Sequence, residues 1–204
     1  MTFDSVYQMF DPLTTVRKQH FWDWFSGDDL KAWWTESTVA TPTTGMSDSV
    51  DGGYEITCDS ASDEAYIHFN DKRQYSHTGS VFIGVLQIST GSDITSDIGF
   101  CNNKDDPAVA SNDGVVFEQG SSTTYLSVSN GTRTLNNLSR TPDTNPHVFK
   151  IELTASNVTG YIDGVSEGTF TVNLPVDKLQ PEVRAKYATS TSTTNIRYIE
   201  AYNT

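Results

Sequence analysis

The sequence predicts an all-β protein, an antiparallel sandwich of two sheets, on three observations. Threonine and serine number 27 and 22 of 204 residues, and Thr with aromatics suits a pleated, half-buried surface. Gly, Asn, Asp and Ser punctuate many short apolar runs, the spacing of a multi-stranded sandwich. Asp163-Gly164 separates Tyr161-Ile from Val165-Ser, the residue pair that a type I′ hairpin turn requires. Charged residues make up only 19%, which excludes a helical bundle or coiled coil built on Glu, Lys and Leu.

Along the chain, residues 1–20 stand apart. Phe3, Val6, Tyr7, Phe10 and Leu13 fall at roughly helical spacing, and Asp11-Pro12 interrupts them because a residue before proline avoids the helical region. Twenty residues cannot build a core alone, so this segment is expected to be a docking arm with Phe3, Tyr7 and Phe10 as its anchors. The sandwich is then expected over residues 21–204. Strands are expected from Val50 to Cys58, Ala65 to Asn70, Val81 to Ser89, Ile98 to Asn102 and Gly114 to Glu118. More follow from Thr124 to Ser129, Thr132 to Leu138, His147 to Leu153 and Val158 to Ile162. Val165 to Asn173, Leu179 to Tyr187 and Thr194 to Tyr202 complete the set, with a second turn at Asn130-Gly131.

Thirteen basic against 26 acidic residues give a net charge of −13. Nonspecific nucleic-acid binding, which needs a basic face for the phosphates, is excluded. No apolar run of about 18 residues predicts a membrane span. The start, Met1-Thr-Phe-Asp-Ser-Val-Tyr, lacks the basic and apolar stretches of a secretory signal. Cys58 and Cys101 each sit in a strand-like run. They are expected to be small buried hydrophobes, with a disulfide as the alternative if their Cα atoms lie within about 7 Å. Asn130, Asn137 and Asn157 begin N-x-S/T sequons, which matter only on an exported surface.

The last sixty residues carry a recognisable order. His147-Val-Phe-Lys-Ile-Glu-Leu-Thr, Asn157-Val-Thr-Gly-Tyr-Ile-Asp-Gly-Val and Leu174-Pro175 precede Leu179-Gln-Pro-Glu-Val-Arg and Asn195-Ile-Arg-Tyr-Ile-Glu-Ala-Tyr202. This resembles the C-terminal half of concanavalin A-like lectin/glucanase jelly rolls. At the front, Phe21-Trp-Asp-Trp-Phe-Ser-Gly-Asp-Asp-Leu-Lys-Ala-Trp33-Trp34 is similar to the "D-x-F-s-G-x-x-L-x-x-x-W" opening of such domains. Val50-Asp-Gly-Gly-Tyr-Glu-Ile resembles their glycine-started second strand. Together the matches span residues 21–203, and the resemblance implies a concanavalin A-like jelly roll.

Hydrolytic members of that family place E-x-D-x-x-E on one strand of the concave sheet. None of the eight glutamates here (36, 55, 64, 118, 152, 167, 182 and 200) begins it. The strand expected near the site, Val81-Phe-Ile-Gly-Val-Leu-Gln-Ile-Ser, holds no acid; Asp63-Glu64 precedes a strand and Glu118 stands alone. Histidines 20, 68, 77 and 147 are scattered, and no G-x-S-x-G surrounds a serine. The expectation is therefore a protein that is not an enzyme.

Two binding chemistries remain. All four tryptophans lie within residues 22–34, beside Phe21 and Phe25, where burial of the opening segment is preferred over sugar stacking. Tyr66, Tyr75 and Tyr125 are alternative sugar platforms. Asp105, Asp106 and Asp113 supply oxygen ligands in a turn-rich stretch, and calcium sites occur in this fold family. The ordered D-x-D-x-D-G spacing is missing and Lys104 sits among the acids, so a solvated loop and no cofactor are expected.

Lectin-like sandwiches without hydrolase carboxylates occur in tailed viruses. The resemblance thus implies a non-enzymatic virion structural protein of a bacterial or archaeal virus: a capsid decoration, turret, tail or fibre component. It would be made in the host cytoplasm, reside in the virion, and contact other virion proteins and copies of itself as a homo-oligomer, without inserting in a membrane. A carbohydrate-binding module for host-surface glycans is the alternative, and a divergent glucanase-like hydrolase the third.

Overall fold

Alternating burial builds the molecule. The computed structural model describes residues 19–48, 52–89, 94–103, 111–120 and 122–204. The arm anchors Phe3, Tyr7 and Phe10, and the loop acids Asp105 and Asp106, lie outside the described residues. All regular structure among the described residues is strand. In chain order the strands are β1 (His20–Asp23), β2 (Thr35–Val39), β3 (Thr43–Met46), β4 (Tyr54–Cys58) and β5 (Glu64–His68). Next come β6 (Gly79–Ile88), β7 (Ile94–Cys101), β8 (Asp113–Gln119), β9 (Thr124–Asn130) and β10 (Arg133–Asn137). The series closes with β11 (His147–Thr154), β12 (Val158–Ile162), β13 (Val165–Phe170), β14 (Gln180–Tyr187) and β15 (Ser192–Asn203).

They form two antiparallel sheets. One runs β13-β12-β11-β6-β15-β4-β3, with β1 also paired to β15; the other runs β10-β9-β8-β7-β14-β5-β2. The first half of β15 pairs with β4 and its last residues with β1, so one long strand ties two segments of the opening chain together. In β4 and β12 every second side chain is buried, as expected when one face of a sheet meets its neighbour. Ile56, Phe82, Phe149 and Ile151 from one sheet meet Ile98, Phe100, Phe117 and Leu126 from the other. Gly160 allows this contact, because a Cβ there would lie 2.7 Å from Leu126 Cδ2 and 2.8 Å from Phe117 Cζ. The expected Asp163-Gly164 hairpin joins β12 to β13, with φ of 51° and 80° at its two residues.

Three strands before residue 50 were not expected. β1 is too short to show alternation, and β2, Thr-Glu-Ser-Thr-Val, is polar because it edges its sheet. Cys58 and Cys101 are both buried and free. Burial, then the carboxylates of Asp63 and Glu64, pushes the Cys58 thiol up to about 12, so it behaves as a small core hydrophobe.

The opening segment is locked by one carboxylate. Asp23 is buried; its Oδ1 accepts the Phe25 N–H at 2.8 Å, and its Oδ2 accepts the indole N–H of Trp33 at 3.1 Å and of Trp34 at 2.9 Å. Phe21 meets Trp33, Trp34 and Phe69 edge-on, while Phe25 stacks on Trp34. Burying Asp23 is tolerated because its two oxygens take three donors. An unpartnered buried polar group costs about 1–3 kcal/mol, so Asp23→Ala should lower the unfolding free energy by about 3 kcal/mol or more. Urea denaturation followed by Trp fluorescence measures this, and an unchanged midpoint would refute the locking role.

Candidate functional site

β8 and most of β14 are buried on both faces. Strand alternation sends Val115, Phe117, Val183 and Ala185 into the core. It leaves Glu118, Glu182 and Arg184 on the opposite, outer face of the seven-stranded sheet. β7 adds Asp97 to that face. Charged side chains at such buried positions need an account, since an unpaired buried charge is strongly unfavourable.

The register supplies it. Asp97 lies opposite Glu118 on β8 and opposite Arg184 on β14. Tyr125 of β9 faces Glu118, while Tyr66 of β5 faces Arg184 and Ser37 of β2 lies beyond it. One row thus crosses six strands: Tyr125, Glu118, Asp97, Arg184, Tyr66, Ser37. The neighbouring row holds Ser127, Val116, Gly99, Glu182 and His68.

Arg184 bridges two carboxylates across this row. Its Nη1 donates to Asp97 Oδ2 at 2.9 Å and its Nε to Glu64 Oε1. Its guanidinium also lies 5.8 Å from the centre of the Tyr66 ring, and Tyr66 Oη donates to Glu64. Glu118 is held from the other side by Arg133, whose Nε donates to Ser127 Oγ at 3.1 Å. Arg133 takes Glu118 Oε2, and among the described residues the buried Oε1 has no hydrogen-bond partner. His68 is fixed too: the Asn70 N–H donates to its Nδ1 at 2.9 Å, and its Nε2 lies 2.9 Å from Ser37 Oγ. A ring nitrogen that accepts an amide proton carries none itself, so His68 is neutral with its proton on Nε2.

The sequence-derived candidates are distributed unevenly around this face. Tyr125 is half-buried and lies opposite Glu118 in the register. Tyr66 belongs to the row, but its hydroxyl and ring are engaged by Glu64 and Arg184. Tyr75 is a core residue, 1% exposed and in ring contact with Phe100, so no face remains for a sugar. Asp113 is buried, and its Oδ2 accepts the N–H groups of Val176 and Asp177, each at 2.8 Å. Among the described residues no group of three His, Cys, Asp or Glu stands within reach of one ion.

Two sequence expectations fail for a geometric reason. The acid-free strand expected near the site, β6, lies in the middle of the other sheet. Glu64 opens β5 rather than preceding it. The acids of this face come from β5, β7, β8 and β14, so no spacing within one strand reveals them. A usable signal existed nonetheless. Glu118 directly follows the apolar Val115-Val-Phe117, and Glu182 and Arg184 alternate with Val183 and Ala185, which marks an outward position on a strand whose other face is in the core.

No protein-family model and no curated protein matches the sequence. Solved structures match the fold. A Bacillus licheniformis β-glucanase is similar at 11% identity and a TM-score of 0.62, covering 91% of this chain and 98% of that one. A β-1,3-glucanase from Mycobacterium marinum is similar at 12% identity and a TM-score of 0.64, covering 89% and 97%. The Crh5 transglycosylase is similar at 16% identity and a TM-score of 0.65, covering 90% and 84%. At such identities the shared property is the fold, which is the concanavalin A-like jelly roll. The expectation of a non-enzyme is corrected by these comparisons, because the matched sandwiches are mostly glucanases, glycosidases and transglycosylases.

Arg184 sets a stability test. Removing one partner of a buried ion pair costs about 3–5 kcal/mol, because the other charge is left uncompensated. Arg184→Met should therefore lower the unfolding free energy by about that amount in urea. Arg184→Lys should recover little of it, since an ammonium lacks the planar fork that serves both carboxylates.

Proposed function

We propose that this protein acts on carbohydrate, cleaving or transferring a glycosidic bond on the outer face of its seven-stranded sheet. The observation that carries the reading is the opposed pair Asp97 and Glu118 on adjacent central strands. Directly opposed residues in an antiparallel pair hold their Cβ atoms about 4.5–5.5 Å apart. Retaining glycosidases use two carboxyl groups about 5–5.5 Å apart.

The roles follow from the partners. Arg184 supplies the cation that a charged Asp97 needs at a fully buried position. Asp97 is therefore the nucleophile, and because it is 0% exposed the side chains that cover it must move aside for the sugar to reach it. Its carboxylate attacks the anomeric carbon as the bond to the leaving oxygen breaks, and Glu118 gives that oxygen a proton. In the second step Glu118 takes a proton from water, or from another sugar hydroxyl, whose oxygen displaces Asp97 from the anomeric carbon. Arg133 orients Glu118 through Oε2, leaving Oε1 for proton transfer. Tyr125, opposite Glu118, supplies a ring face for the sugar. The glucanases and the transglycosylase that share the fold support a β-glucan as the first substrate to try.

The test is reducing-sugar release or oligosaccharide transfer on soluble β-glucans with Glu118→Gln and Asp97→Asn. Proton-transfer groups contribute about 10²–10⁴-fold, so each variant should lose at least about 100-fold. Glu118→Gln should keep a melting temperature near that of the parent, whereas Asp97→Asn, which deprives the buried Arg184 of a counter-charge, should lower it. Cleavage unaffected by either change would overturn the assignment.

A second, compatible reading concerns location. The apolar stripe of Phe3, Tyr7 and Phe10, with the resemblance to tailed-virus sandwiches, supports an outward-facing virion component. Its arm would dock on other virion proteins or on copies of itself, and host-surface glycans would be its target. Deleting residues 2–18 spares β1 and the Gln19–Asn203 hydrogen bond. It should convert a homo-oligomer to a folded monomer in sedimentation velocity. An assembly of unchanged size would refute the docking arm.

A further inference from the structure

The opening segment turns its tryptophans in opposite directions. Trp34 is buried and Trp33 half-buried, whereas Trp22 and Trp24 are 45% and 60% exposed. β1 pairs with β15 so that Phe21 and Asp23 point into the sandwich and Trp22 points out, opposite Glu200. Trp24 continues on that side and rests on Tyr198, ring centres 4.3 Å apart. Glu200 anchors the patch: Tyr198 Oη donates to its Oε2 at 2.8 Å, and His20 Nε2 lies 2.8 Å from its Oε1. His20 also packs edge-on against Tyr202. The result is a fixed aromatic surface with polar groups at its rim, on the opposite side of the sandwich from Asp97 and Glu118.

We propose that Trp22 and Trp24, with Tyr198, Glu200 and His20, form a second glycan-binding platform that holds a polysaccharide away from the acid face. The inference rests on the carbohydrate-acting reading. The apolar C–H face of a pyranose packs on an indole, and the hydroxyls at the ring edge need hydrogen-bond partners such as Glu200 and His20. Tyr198 fixes Trp24 beforehand, which lowers the ordering cost of binding. Net charge selects the occupant. A neutral polymer meets no repulsion from a chain carrying −13 charges, whereas a second copy of that chain does wherever no apolar arm docks to offset it.

Full-length protein carrying Glu118→Gln, which leaves the polymer intact, is run through native gels containing soluble β-1,3-glucan or mixed-linkage β-glucan. Retardation is compared with that of the same protein carrying Trp22→Ala and Trp24→Ala. Aromatic contacts are worth about 0.5–1.5 kcal/mol, so binding should weaken up to about tenfold for each indole removed. Cleavage of short oligosaccharides by the Trp22→Ala/Trp24→Ala protein with Glu118 intact should be unchanged. The proposal fails if retardation is the same with and without the indoles, or if neither glucan retards the parent. It also fails if the substitutions turn a dimer into monomers in sedimentation, which would give the face to a second copy. Retardation that depends on the indoles in a protein that cleaves neither glucan would sink the catalytic reading and leave this one standing.

Discussion

A single guanidinium organises the centre of the seven-stranded sheet. Arg184 sits on β14 between β5 and β7, with a side chain 6% exposed, and donates to one carboxylate on each neighbour. A planar fork can do this because its donors diverge at fixed angles. The arrangement holds Asp97 and Glu64 on one cation, sets Tyr66 against it, and turns three otherwise unfavourable charges into a rigid row. Buried ion pairs contribute little to net stability compared with apolar side chains of the same volume. A network kept at the middle of a sheet is therefore better explained by what it positions than by what it stabilises.

The sandwich separates its chemistry by face. Between the sheets lie only apolar chains and a few paired polar groups, such as Ser96 with Thr194 at 2.8 Å. The acids occupy the outer side of one sheet, and the exposed indoles the outer side of the other. The opening segment shows how one short stretch serves both interior and exterior. Asp23 gathers the buried rings, while strand alternation places Trp22 on the opposite side of β1 from Phe21 and Asp23. The acidic chain repels anionic polymers and does not repel neutral ones, the class proposed for both faces.

Hairpins and alternation were legible from residue types. Asp163-Gly164 could be assigned because only residues tolerant of positive φ sit in that turn, and its φ values of 51° and 80° follow. The strands from β4 onward were readable because each carries an alternating or unbroken apolar run. β1, β2 and β3 were not, being four or five residues long and lying at sheet edges or ends, where solvent removes the demand for alternation. Of the site, Tyr66 and Tyr125 were named for their rings and Glu118 was noted only as isolated. Asp97 was missed because its strand was begun at Ile98, four residues too late.

By itself the sequence determined the all-β class, the jelly-roll order of its later strands, the hairpin turns and the acidic surface. The jelly-roll order came from the resemblance of the later motifs to a known family; the others depend on local conformational preference or on summed charge, which need no knowledge of neighbours. Tertiary structure alone decided which carboxylates face one another. Asp97 and Glu118 lie on consecutive strands in register, and Arg184 reaches Asp97 from a strand 87 residues further along the chain. Pairing between strands sets that register, and spacing within a strand carries no trace of it.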